Sequence, residues 1–181
     1  NQVLAADRVR PAAADFAVTV CDTSALMATA ERFPDAVDVV VGDPTEYLTH
    51  LTPALLRNAA LCVLTHDERV DVPAISAALG LPFGFIGAMG SRTTVARRLA
   101  LLREAGHTPR ELKRLRIPIG LDLGGSTTFE TALAILAEIV AVRHGATARP
   151  LRRLTGPMHR PASAPRPALP DHPAVLDGRV A

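Results

Sequence analysis

Tryptophan is missing, and one tyrosine and five phenylalanines bring the aromatic share to only 3%. A chain so poor in rings has few platforms on which bases can stack, which argues against a single-stranded nucleic-acid surface. With 48% hydrophobic residues it still has the means to build a core, filled mainly by Ala, Leu and Val. Cysteine is scarce as well. Cys21 and Cys62 lie far apart, each inside an apolar, β-like run, with no CxxC pair and no disulfide framework. Reduced thiols in a cytoplasmic protein are the expectation. No apolar run nears the roughly 18–20 residues of a membrane span, and no charged-then-apolar leader opens the chain. A soluble, non-exported protein is expected. The body also lacks charge of one sign. Six of the basic residues fall from Arg149 onward against two Asp, so the net charge of +2 belongs to the tail and the rest is slightly acidic. No Lys/Arg cluster in the body marks a DNA or RNA footprint.

Across 181 residues, enough for one core, short β-branched or apolar runs alternate with helical patterns. Val18–Cys21 ends in Asp22, and Val37–Val41 is closed by Gly42-Asp43-Pro44. Ala60–Thr65 is closed by His66-Asp67, and Pro82–Ile86 runs into Gly87 and Gly90. Runs this continuous suit strands buried on both faces. Helical spacing covers Thr45–Asn58, Val70–Leu79 with Pro73 in its first turn, Arg92–Ala105, a short helix opened by a Thr108–Glu111 capping box, and Thr127–His144. In the last, Phe129, Leu133, Leu136, Ile139 and Val140 form one stripe. The expectation is an α/β Rossmann-like, doubly wound parallel sheet over residues 1–148, with an irregular Pro/Arg-rich tail over 149–181. Residues 1–17 contain no glycine, so either the chain begins after the glycine turn of a dinucleotide site or that turn is missing.

Ligands of open parallel sheets bind beyond the carboxyl ends of the strands. Those ends supply Asp22, Gly42-Asp43, Thr65-His66-Asp67 and the segment Gly87–Thr93. A strand, glycines Gly87 and Gly90, Ser91 as N-cap and then a helix make an anion site: helical N–H groups and the dipole attract a phosphate, and Arg92 adds a fork of donors. An ordinary strand-to-helix turn is the plainer reading. His66-Asp67 is either an acid/base pair or a helix cap beside a crevice-lining histidine. Asp122, between two glycine turns, either touches ligand or holds its own loop. Cys21 stands next to the crevice, as a soft-metal or sulfur ligand or as core. Spacing does not demand a zinc site of Cys21, His66 and Asp67.

Six words in order carry a resemblance: Val18-Thr-Val-Cys-Asp22, Ala30-Glu-Arg-Phe-Pro34, Leu64-Thr-His-Asp67, Phe85-Ile-Gly-Ala-Met-Gly-Ser-Arg-Thr93, Pro118-Ile-Gly-Leu-Asp-Leu-Gly124 and Ala137-Glu-Ile-Val-Ala-Val-Arg143. Together they resemble the Rossmann domain of the XdhC/CoxI family. The resemblance implies a maturation factor that binds molybdenum cofactor (molybdopterin, as mono- or dinucleotide) and delivers it to an apo molybdenum hydroxylase of the xanthine or carbon monoxide dehydrogenase type, with a sulfurtransferase as a further partner. It implies an accessory protein rather than a catalyst. Asp22, His66, Asp67, Gly87, Gly90, Ser91, Arg92 and Asp122 would hold the cofactor, and Cys21 would meet its metal. An NAD(P)-binding oxidoreductase and an inert Rossmann interaction domain are the alternatives. A homodimer fits the way small α/β domains cover apolar helix faces.

Overall fold

A computed structural model describes residues 2–7 and 16–158. Its strands are β1 (Gln2–Asp7), β2 (Phe16–Asp22), β3 (Asp38–Val41), β4 (Ala60–Val63), β5 (Phe85–Ala88) and β6 (Leu115–Arg116). Its helices are α1 (Pro44–Thr49), α2 (Pro53–Leu56), α3 (Glu68–Leu79), α4 (Arg92–Glu104), α5 (Pro109–Leu112) and α6 (Thr128–Arg143). The strands form one sheet in the order β3-β2-β1-β4-β5-β6, the doubly wound order expected. Pairing is parallel between β2 and β3 and along β4-β5-β6.

β1 departs from its neighbours and runs antiparallel to both, with Gln2 opposite Cys21 and Val63. The cause is the short connection. A parallel crossover needs a dozen or more residues, usually with a helix, and only residues 8–15 join β1 to β2.

Period-2 alternation divides the core between the two faces of the sheet. Leu61, Val63, Ile86 and Ala88 meet Leu48 of α1, Ile75 and Leu79 of α3 and Leu102 of α4. On the other face Phe16, Ala60, Cys62 and Phe85 meet Ile139 of α6. Local chemistry ends the helices. Ser91 caps α4, Asp67 caps α3, and Thr108 and Thr127 open capping boxes with Glu111 and Glu130. Gly106 and Gly145 follow the last turns of α4 and α6 at φ +95° and +57°, where a side chain would be strained. β6 leads through a cis Ile117–Pro118 bond into the loop before α6.

Four expectations change. The helix read over 45–58 is two helices, because Thr52 caps a new start and Pro53 drives it out of the α region. Pro73 lies in the second turn of α3, not the first. β5 begins three residues later than its apolar run, so Gly87 is strand rather than turn. The stripe on α6 is not a buried stripe. Ile139 is buried, but Phe129 is 78% exposed, Leu133 48% and Val140 37%. α6 is apolar nearly all round, and it turns Ile135, Leu136, Ile139 and Val142 to the sheet. From the expected tail, residues 151–153 form a 3-10 turn; residues 159–181 lie outside the described residues. No described helix is long and apolar enough to cross a membrane.

Candidate functional site

The exits of β2, β3, β4 and β5 lie along one edge of the sheet, since these strands run in a common direction on either side of β1. A cleft of about 160 Å³ opens there, lined by Cys21, Asp22, Thr23, Pro44, Thr65, Asp67 and Val70. Three expected residues, Cys21, Asp22 and Asp67, therefore converge. The backbone N–H of Ser24 donates to Asp22 Oδ1 at 2.7 Å, an Asx turn that fixes the carboxylate at the mouth of the cleft.

His66 is exposed beside this cleft and does not line it. Asp67 faces Arg69 rather than the histidine. It accepts from the Arg69 backbone N–H at 3.0 Å and from its Nε and terminal nitrogen at 3.0 and 2.8 Å. These bonds hold its carboxyl below the usual carboxylate range, which weakens it as a base. The cap reading of His66-Asp67 is the one the geometry matches.

Cys21 forms a wall of the cleft but is only 3% exposed. Its thiol donates to the carbonyl of Gly42 at 3.7 Å. Burial, helped by the carboxylates of Asp22, Asp43 and Asp38, pushes the thiol from 9.0 up to about 11. The thiolate that binds soft metals or sulfur is therefore scarce at neutral pH. Among the described residues no group of three or more His, Cys, Asp or Glu stands ready to hold a metal ion, which counts against the zinc triad of Cys21, His66 and Asp67. Cys62, fully inside the sheet, is pushed to about 12 by burial. Raised acids keep protons in the fold that the unfolded chain releases, so stability falls as pH climbs from about 9 towards 11. Thermal melts at the two ends of that window should show the loss, reduced in Cys21→Ala. A thiol reagent at pH 8 should label Cys21 only after unfolding.

The β5 exit lies one strand over. Ser91 Oγ accepts from the Thr94 backbone N–H at 3.2 Å, and Arg92 is exposed on the first turn of α4. Gly90 belongs to this turn. Gly87 does not: it faces α6 from within β5, and a Cβ there would collide with the Ile119 side chain and lie 2.7 Å from the Phe85 ring. Its glycine answers a packing demand. Asp122 is exposed between Gly120 and Gly124, both at positive φ, and is not part of the cleft lining.

Beneath this edge lies an arrangement that the motif reading missed. Asp71 of α3 and Arg98 of α4 form an ion pair with both side chains 0% exposed. Arg98 also donates to the Met89 carbonyl at 2.6 Å, and the Thr65 hydroxyl donates to Asp71. One buried network thus fixes the exit of β4 through Thr65 and the exit of β5 through Met89. Burial pushes the Asp71 carboxyl up, opposed by the Thr65 hydroxyl and the Arg98 guanidinium. The signal in the sequence is one charge inside each apolar stripe: Asp71 shares its face with Ile75 and Ala78, and Arg98 shares its own with Val95 and Leu102.

Known proteins resemble this chain in sequence and in fold. The molybdenum cofactor insertion chaperone PaoD of Escherichia coli is 33% identical over 86 residues, 48% of this chain and 27% of its own. A probable xanthine dehydrogenase subunit of Bacillus subtilis is 29% identical over 128 residues, 71% of this chain and 36% of its own. The uncharacterized Escherichia coli protein YqeB is 33% identical over 84 residues, 46% of this chain and 16% of its own. The matched stretches thus span between 16% and 36% of the length of these relatives. The crystal structure of a xanthine dehydrogenase from Bacillus halodurans shares the fold with a TM-score of 0.58 at 22% identity, covering 68% of this chain and 36% of that one. The model of the XdhC Rossmann domain matches residues 9–139, most of the chain. A match over that much of its length means that the chain belongs to the XdhC Rossmann-domain family.

Proposed function

We propose that this domain binds molybdenum cofactor at the carboxyl edge of its sheet and hands it to an apo molybdenum hydroxylase in the cytoplasm. The observation that carries the reading is the family membership, together with a relative named as a molybdenum cofactor insertion chaperone. The chemistry of the edge suits a pterin phosphate. Asp22 and Asp67 offer carboxylate acceptors to the amino and N–H groups of a pterin, and the first turn of α4 with Arg92 offers donors to a phosphate. At about 160 Å³ the cleft is smaller than the roughly 300 Å³ at which whole-ligand pockets begin, so it takes one end of the molecule and the rest lies along the edge towards Ser91. The bound group supplies the molybdenum chemistry of the recipient enzyme; this chain binds, orients and shields it. Cys21 serves here as a wall rather than as a metal ligand. A sulfurtransferase enters only as the enzyme that would sulfurate cofactor held at this edge.

The antiparallel β1 weighs against the NAD(P) alternative. Its carboxyl end, Asp7 beside Phe16, points to the opposite edge from the cleft, so no turn after β1 can place glycines under a pyrophosphate at this site. Arg92→Ala is expected to weaken binding of molybdopterin by more than about 1 kcal/mol, the scale of a charge-assisted contact. Calorimetry with purified cofactor, and in parallel with NADH and NADPH, checks both points. Nicotinamide binding without cofactor binding overturns the reading.

A further inference from the structure

We propose that α6 is a self-association surface: two copies of this chain pair antiparallel through it, each seating Phe129 and Leu133 in a groove of the other. The proposal is independent of the ligand reading. α6 carries apolar residues nearly all round, the character of a helix covered on every side, yet Phe129, Leu133 and Val140 are exposed. Steps of four and seven residues put these three on one face. The knob is Phe129 with Leu133 at the first turns. The groove, about 880 Å³, lies between the last turns of α6 and residues 146–158, and Val140, Leu151, Leu154 and Met158 are among its lining residues.

Knob and groove lie on the same helix, roughly 16–22 Å apart at 1.5 Å per residue. A two-fold axis between Leu136 and Ala137 superposes them: residue 133 of one copy meets residue 140 of the other, and residue 129 meets the groove beside residue 144. That is the self-complementarity an isologous interface requires. Charge follows the same symmetry. Glu130 lies at the knob end, and Arg149 and Arg152 line the groove end. Antiparallel pairing sets acid against base at both ends, whereas parallel pairing would set like against like.

Sedimentation of the full chain should show a concentration-dependent dimer. Leu133→Asp, an exposed position, should raise its dissociation constant by roughly a hundredfold with circular dichroism unchanged. A mixture of Leu133→Cys and Val140→Cys chains should form an oxidised hetero-crosslink, and Leu133→Cys alone should not crosslink. A monomer at every concentration overturns the proposal, whether the groove is then filled by residues 159–181 or by another protein. A dimer that survives Leu133→Asp, or one that crosslinks at 133 to 133, overturns it equally. If Leu133→Asp fails to fold, the crosslinking pair decides.

Discussion

Arg98→Met is expected to cost about 3–5 kcal/mol of folding stability, the usual penalty for breaking a buried pair by removing one partner. In a domain this size that is roughly 6–20 °C of thermal midpoint, a large part of a typical total of about 5–15 kcal/mol. The loss exceeds that of a surface ion pair because Asp71 stays behind, 0% exposed, as an uncompensated charge, while the Met89 carbonyl loses its donor. Arg98→Lys should recover little, since a single ammonium cannot span both Asp71 and Met89 as the guanidinium fork does. Asp71→Leu in the Arg98→Met background should restore part of the stability, because no bare charge then remains. It should not restore all of it, because the Thr65 hydroxyl and Met89 carbonyl are still without their partner. Chemical denaturation of the wild type, Arg98→Met, Asp71→Leu and the double variant checks this. A double variant equal to the sum of the singles would deny the coupling.

Phe85→Ala is the second large effect, about 3–5 kcal/mol for a buried ring. Phe85 lies under α6 with Phe16, Cys62 and Ile139, and α6 is the helix that covers this face of the sheet. α3 and α4 bury their cores on the opposite face, against Leu61, Val63 and Ile86. The loss should therefore be uneven. Amides of α6 are expected to exchange well before those of α3 in Phe85→Ala, while in Arg98→Met the order should reverse. Uniform exchange in both variants would mean that the two faces unfold as one unit.

Much of the architecture was legible because it is local. Strands end where an apolar run meets Asp22, Asp43 or Asp67, and helices begin where Ser91, Thr108 or Thr127 can accept a backbone N–H. What escaped was tertiary. The run from Pro82 to Ile86 has no period to fix where β5 starts, so the strand begins three residues further on and takes Gly87 with it. β6 is two residues long and carries no pattern. Which charge in one stripe answers which in another, Asp71 and Arg98, is decided by helix packing. At the candidate site, Cys21, Asp22 and Asp67 were legible as strand-end residues that converge. Thr65 was legible as a strand end too; Val70 was not, because nothing marks an ordinary valine as part of a wall. The exposed face of α6 looked like core for a simple reason: a stripe records apolar character, and a protein partner satisfies it as well as a sheet does.

The central place of β1 bears on how the chain is made. On a ribosome its residues emerge well before those of β4, one of its two neighbours, which begins only at Ala60. β1 pairs with β2 along one edge and meets its other partner, β4, only when that strand is made. The sheet cannot close at its middle before β3, α1 and α2 have also been synthesised, a long-range pairing of the kind that slows folding. A nascent chain stalled before Ala60 would hold β1 without β4 on its second edge, the kind of open edge that holding chaperones capture and that strand-exchanging aggregates copy.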